Sequence, residues 1–131
     1  MESRARILLA DDHAGMLANA SDIVGEHFEV VGAVRDGKTA VDVACKLNPD
    51  LVVLDITMPG LDGLMAAREL RERGSTAKVV FLTVQEGEDY VAAALDSGGL
   101  AYVLKSRMYS DLIQAIGAAL SGTVFVSPRA V

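Results

Sequence analysis

Asp55 closes the apolar run Leu51-Val52-Val53-Leu54 and opens the segment Ile56-Thr57-Met58-Pro59-Gly60-Leu61-Asp62-Gly63. A short run with no polar member is what a parallel strand covered on both faces looks like, and ligands of open α/β sheets gather beyond the carboxyl ends of such strands. Asp55 is therefore a candidate reacting carboxylate, with a helix N-cap or turn aspartate as the plainer alternative. Other polar residues stand at comparable points: Asp11 and Asp12 after Ile7-Leu8-Leu9-Ala10, Thr83 after Val79-Val80-Phe81-Leu82, and Lys105 after Ala101-Tyr102-Val103-Leu104. Parallel strands bring these ends together. Three carboxylates at one edge repel one another, and a divalent cation relieves that repulsion; an all-oxygen donor set with an open side suits Mg²⁺. A lysine and a hydroxyl beside such an ion suit a phosphoryl group. In that company Asp55 is the nucleophile, since carboxylates form phosphoryl intermediates and the transfer rests mostly on alignment and charge neutralisation. Taken singly, Asp11-Asp12 reads as a helix cap and Lys105 as a surface lysine. Their joint occurrence points to chemistry.

The elements that must position these residues follow from the patterning. Strand-like and helix-like segments alternate throughout, the signature of a parallel sheet with helices on both faces. Five strands are expected: Ile7–Ala10, Phe28–Ala33, Leu51–Leu54, Val79–Leu82 and Ala101–Leu104, of which the first, third and fourth read as the most buried. Met16, Leu17, Ala20, Ile23, Val24 and His27 recur at helical spacing, as do Leu112, Ile113, Ile116, Ala119 and Leu120. Shorter helices are expected over Lys38–Leu47, Leu64–Arg73 and Glu88–Ser97, stopped by Asn48-Pro49, Gly74 and Gly98-Gly99. The tail from Gly122 to Val131 leaves the helical pattern and reads as the start of a linker.

Composition bounds the rest. A chain of 131 residues that is 51% hydrophobic fits one domain with a core that needs neither disulfide nor structural metal. No apolar stretch is long enough to span a bilayer and no signal segment opens the chain, so a soluble cytoplasmic protein without membrane contact is expected. The single cysteine, Cys45, falls in a helical pattern and is expected to be buried as a small apolar residue. A net charge of -6 and a pI near 4.8 argue against direct nucleic-acid binding, which requires a basic face.

The set Asp11-Asp12, Asp55 with Met58-Pro59-Gly60, Thr83 and Lys105 resembles a response regulator receiver domain of the CheY-like superfamily, over essentially the whole chain. The stretches Leu9-Ala10-Asp11-Asp12-His13, Ala101 to Ser106 and Phe125-Val126-Ser127-Pro128 resemble the NarL/FixJ subgroup more specifically. The resemblance implies a flavodoxin-like α/β fold, a doubly wound five-stranded parallel sheet of order 2-1-3-4-5 with five helices. It implies a receiver domain over residues 1–121, with 122–131 leading toward an output domain of the LuxR helix-turn-helix type for which the chain has no room. It implies that Asp55 accepts a phosphoryl group from a phosphohistidine of a sensor histidine kinase, the domain acting as a phosphoacceptor that catalyses only its own phosphorylation and dephosphorylation. Asp12 and Asp55 would ligate Mg²⁺ directly, Asp11 through water, and the Thr57 carbonyl would complete the set. Thr83 and Lys105 would contact phosphoryl oxygens. Thr83 and Tyr102 would then form the switch, and homodimerisation on phosphorylation is implied, with DNA reached only through an output domain.

Some positions depart from the family pattern. Val84 follows Thr83 where a small residue is usual, which would narrow the path to Asp55. Ser106 follows Lys105 where proline is often found, leaving that peptide bond open, and Gly98-Gly99 would loosen the end of the fourth helix. Thr57 and Gln85 stand where the family tunes hydrolysis. His13, Gly15 and Asn19 are candidates for docking the kinase. Two rivals weigh against the phosphoacceptor: a haloacid dehalogenase-type phosphatase, which needs an aspartate where Thr57 stands, and a receiver fold used as a protein-binding scaffold without phosphorylation.

Overall fold

Successive side chains of a strand point to opposite faces, so a run such as Ile7-Leu8-Leu9-Ala10 needs apolar cover on both sides. In the computed structural model, which describes residues 4–128 and 130, that cover is provided by helices above and below one sheet. The order is β1 (Arg6–Ala10), α1 (Ala14–Gly25), β2 (Glu29–Val34), α2 (Gly37–Leu47), β3 (Leu51–Leu54), α3 (Gly63–Glu72), β4 (Lys78–Thr83), α4 (Glu88–Asp96), β5 (Ala101–Leu104), a 3₁₀ turn over Lys105–Arg107, α5 (Met108–Leu120) and β6 (Phe125–Val126). The strands lie β2-β1-β3-β4-β5-β6, every pair parallel. The expected 2-1-3-4-5 order is present, extended by a short sixth strand. Ile7, Leu9, Val53, Val80, Leu82 and Val103 meet Leu17, Val24, Leu112 and Ile116 of α1 and α5. Their alternates Leu8, Val52, Leu54, Phe81 and Tyr102 meet Val41, Ala66, Leu70, Val91 and Ala94 of α2, α3 and α4. This even and odd division makes the flavodoxin-like, doubly wound architecture.

Local chemistry sets the helix ends. Asp36 caps α2 by accepting the Thr39 N–H at 2.8 Å, and Asp62 caps α3 through the Met65 N–H at 2.8 Å. Glu88 and Asp89 place negative charge in the first turn of α4, where the helix dipole favours it.

Several expectations are corrected. His27 does not continue the α1 stripe: the helix ends at Gly25 and His27 is exposed in the turn to β2. Cys45 is exposed, because the buried stripe of α2 runs through Gly37, Ala40, Val41 and Ala44 and puts position 45 on the outer side. β5 is as buried as the first, third and fourth strands, since β6 takes the edge position and α5 covers its other face. Beyond α5 the chain leaves the helical pattern, and Phe125 and Val126 pair with Ala101 and Tyr102. Gly98-Gly99 closes α4 firmly, with N–H groups donating to Leu95 and Ala94 carbonyls at 3.1 and 3.0 Å. A side chain at position 99 would meet the Phe81 ring at 2.5 Å, so packing, not looseness, accounts for that glycine.

Candidate functional site

Register carries the strand ends to one place. Ala10 is level with Leu54 across β1 and β3, and Thr83 with Leu104 across β4 and β5, so Asp11 stands beside Asp55 and Lys105 beside Thr83. Backbone bonds hold the carboxylates in position: Asp55 N–H donates to the Ala10 carbonyl and Asp11 N–H to the Val34 carbonyl, both at 3.1 Å. Gly63 opens α3 against the Asp55 backbone, and its N–H donates to the Ile56 carbonyl at 2.8 Å. A Cβ there would lie 2.0 Å from the Asp55 carbonyl oxygen, so only glycine permits this close return of the chain.

Lys105 is the hub. Its Nζ lies 2.8 Å from Asp55 Oδ2 and 2.8 Å from Asp11 Oδ2, with the three side chains only 5%, 4% and 6% exposed. Burial pulls the ammonium pKa down, but hydrogen bonds to Asp11 and Asp55 outweigh it and the net shift is upward, which keeps Lys105 charged. Asp11 Oδ1 accepts the His13 N–H at 2.9 Å, and Asp55 Oδ1 accepts a long bond of 3.4 Å from the Thr57 N–H.

The donor set fits a divalent cation. Asp11, Asp12, His13 and Asp55 each offer one ligand atom within 4.8 Å of the others. Asp12 Oδ1 is buried yet accepts no hydrogen bond, and His13 Nδ1 approaches it at 3.4 Å without hydrogen-bond geometry. A buried carboxylate oxygen without a donor is the atom a cation would satisfy, and hard oxygen donors favour Mg²⁺ over softer metals.

On the other side of Asp55, Thr83 is fully buried at the end of β4 and its Oγ1 accepts the Gln85 N–H at 3.3 Å. Gln85 Nε2 donates to Thr57 Oγ1 at 3.1 Å, and the Gln85 carbonyl accepts the Tyr102 hydroxyl at 2.7 Å. Tyr102 has 0% exposure. Burial, then the negative neighbours Tyr90, Asp55 and Glu86, push its hydroxyl up to about 12. Val84 is 66% exposed and, with His13, Ala14, Gly15, Met16 and Lys105, lines a cleft at the site.

The structure therefore gathers Asp11, Asp12, Asp55, Thr57, Thr83 and Lys105 and sets Tyr102 one hydrogen bond from their loop. Every described peptide bond is trans, so Lys105-Ser106 enters the 3₁₀ turn without a cis bond. Gly15 and Asn19 are exposed on α1, and Gly15 lines the cleft with His13 and Lys105. Sequence reasoning missed the Gln85 bonds to Thr57 and Tyr102, whose partners lie 28 and 17 residues away. It also missed a buried bond of 2.7 Å between Ser127 and Asp111. The one available signal for the latter was an aspartate beside Leu112, in phase with the apolar stripe of α5.

Comparison with known proteins agrees with this geometry. Residues 7–117 match the family described as response regulator receiver domain. The chain is 33% identical over 130 residues to the transcriptional regulatory protein DegU of Brevibacillus brevis, covering 98% of this chain and 55% of that protein. It is 34% identical over 125 residues to the nitrate/nitrite response regulator protein NarL of Escherichia coli, covering 94% and 58%. It thus spans little more than half the length of these relatives. The crystal structure of a LuxR-family two-component response regulator from Aurantimonas superposes with a TM-score of 0.91 at 33% identity, over 96% of this chain and 91% of that one. With its aspartates, threonine and lysine at the strand ends and its matches running the length of the sheet, the chain belongs to the response regulator receiver domain family, in its NarL-like subgroup.

Proposed function

We propose that the chain is a phosphorylation-activated receiver of a two-component system, in which Asp55 accepts a phosphoryl group from a phosphohistidine of a sensor histidine kinase. The observation that supports this most is the buried ammonium of Lys105 shared at 2.8 Å between Asp55 and Asp11, beside a fully buried Thr83 hydroxyl. In the transfer, an Asp55 carboxylate oxygen forms the new P–O bond while the P–N bond to the donor imidazole breaks, the ring nitrogen keeping the bonding pair. Lys105 lies where it can follow the charge from the carboxylate to the phosphoryl oxygens, and the Thr83 hydroxyl can donate to another of them. Asp11, Asp12, Asp55 and the Thr57 carbonyl would hold Mg²⁺, which when bound neutralises phosphoryl charge. The added charge of about -1.5 to -2 draws Thr83 inward and shifts the bonds that Gln85 makes to Thr83 and Tyr102.

The reading places the protein in the cytoplasm; no helix among the described residues is long and apolar enough to cross a membrane. It makes the chain a signalling domain that catalyses only its own phosphorylation and dephosphorylation. The relatives' names as transcriptional regulatory and response regulator proteins support an output at DNA. With a net charge of -6, this domain would reach DNA through an output domain following residues 122–131, and would form a homodimer on phosphorylation.

The test is intact mass after incubation with acetyl phosphate, with and without Mg²⁺, on the chain and on Asp55→Asn. A Mg²⁺-dependent, base-labile adduct that Asp55→Asn lacks is expected. No adduct under any condition would replace this reading with that of a non-phosphorylated binding scaffold.

A further inference from the structure

The segment after α5 is tied both to the core and to the switch loop. Ser127 N–H donates to the Tyr102 carbonyl at 2.8 Å, extending the β5–β6 ladder. Ser127 Oγ is buried, donates to Asp111 Oδ2 at 2.7 Å and accepts the Leu104 N–H at 3.3 Å. Asp111 is held in turn by Arg107 at 2.8 and 3.3 Å and by Ser110 at 3.0 Å. Burial pushes the Asp111 carboxyl up, but the bonds from Arg107, Ser127 and Ser110 outweigh it and hold it below its ordinary value. Farther along, the Ala130 carbonyl accepts the Gly87 N–H at 2.7 Å. Gly87 lies two residues beyond Gln85, in the same short loop between β4 and α4.

We propose that Gln85 is a positioning residue coupling the phosphoacceptor site to this segment, so that phosphorylation of Asp55 unlatches residues 123–128 from β5 and Ala130 from Gly87; this rests on the phosphoacceptor role given to Asp55 above. Gln85 touches three parts at once: its N–H holds the Thr83 hydroxyl at 3.3 Å, its Nε2 the Thr57 hydroxyl at 3.1 Å, and its carbonyl the Tyr102 hydroxyl at 2.7 Å. A phosphoryl oxygen that recruits the Thr83 hydroxyl draws Oγ1 away from a bond that is already long. The loop then moves as a unit, and the Gly87 N–H leaves Ala130 when Gln85 shifts against Tyr102. Phe125 and Val126 are only half-buried while Ala130 is fully buried, so the ladder, the Ser127 bonds and the seating of Ala130 restrain release together.

The experiment is amide hydrogen exchange on the full chain, with and without acetyl phosphate and Mg²⁺, the adduct being quantified by mass in the same samples. The Ser127 and Gly87 amides should exchange at least about tenfold faster in the phosphorylated chain, as the loss of two or more hydrogen bonds would produce. Ser127→Ala should raise exchange across 123–128 and at Ala130 in both states while leaving the rate of adduct formation unchanged. Gln85→Ala removes only the side-chain bond to Thr57 and keeps the backbone bonds to Thr83 and Tyr102, so it should narrow the difference between the states in adduct-bearing protein; a difference of undiminished size overturns the part of the Gln85 side chain in positioning the loop. Full adduct with unchanged exchange over 123–128 and at Ala130 overturns the coupling and leaves the phosphoacceptor standing. Absence of adduct overturns both.

Discussion

Lys105→Met removes the ammonium and keeps an unbranched stem of similar length, so it isolates the charge at the centre of the site. In the native chain that ammonium faces two carboxylates at 2.8 Å each, all three groups being almost wholly buried. At an effective dielectric near 20 each pair is worth about 6 kcal/mol of gross attraction, most of it offset by desolvation and by repulsion among Asp11, Asp12 and Asp55. What remains on removing one partner of a buried pair is the cost of the orphaned charge, about 3–5 kcal/mol. With a urea slope of about 2 kcal/mol per M, the unfolding midpoint in chelator should fall by about 1.5–2.5 M. Excess Mg²⁺ should close much of that gap, because a cation at about 100 times its Kd adds about 2.7 kcal/mol and the variant has no ammonium competing for the same carboxylates. Adding Asp55→Asn to Lys105→Met should recover part of the loss without metal. A loss below about 1 kcal/mol in chelator, or an equal loss with and without Mg²⁺, would refute the electrostatic account of the site.

Three further outcomes follow from the geometry. Gly63→Ala drives a Cβ to 2.0 Å from the Asp55 carbonyl and should destabilise the fold by at least about 2 kcal/mol while slowing adduct formation, both read on the same preparation. The Tyr102 hydroxyl is raised from 10.0 to about 12, so the folded state holds its proton where the unfolded state releases it. The stability this contributes is full below pH 10 and is lost as pH rises toward 12, about 2 to 3 kcal/mol in all; Tyr102→Phe should remove that part of the decline in urea unfolding against pH. Val84→Ala trims an exposed side chain lining the cleft beside Lys105 and should speed both gain and loss of the phosphoryl group by about threefold, a barrier change below 1 kcal/mol; unchanged rates would show that Val84 does not gate the site.

The gathering of Asp11, Asp12, Asp55, Thr83 and Lys105 was legible because each directly follows an apolar run. Runs that demand cover on both faces imply a parallel sheet, and a parallel sheet puts all its carboxyl ends on one side. The same logic carried the strand order through the resemblance and the helix stops at Asn48 and Gly74. It failed where phase or distant partners decide. Position 45 sits in a helix whose buried stripe is set by which neighbours it packs on, so Cys45 turned outward. His27 extended an apolar period past the residue at which the chain had to turn into β2. A two-residue strand such as Phe125–Val126 has no period to read, and it exists only because β5 offers an open edge and Asp111 a buried acceptor for Ser127. The amino-acid sequence by itself determined which chemical groups meet, because local patterning sets the elements and parallel topology sets their ends. Only the tertiary structure decided how those groups are connected, because the bonds of Lys105 to Asp11 and Asp55, of Gln85 to Thr57 and Tyr102, and of Ser127 to Asp111 span 16 to 94 positions of chain and form only when the sheet is in register.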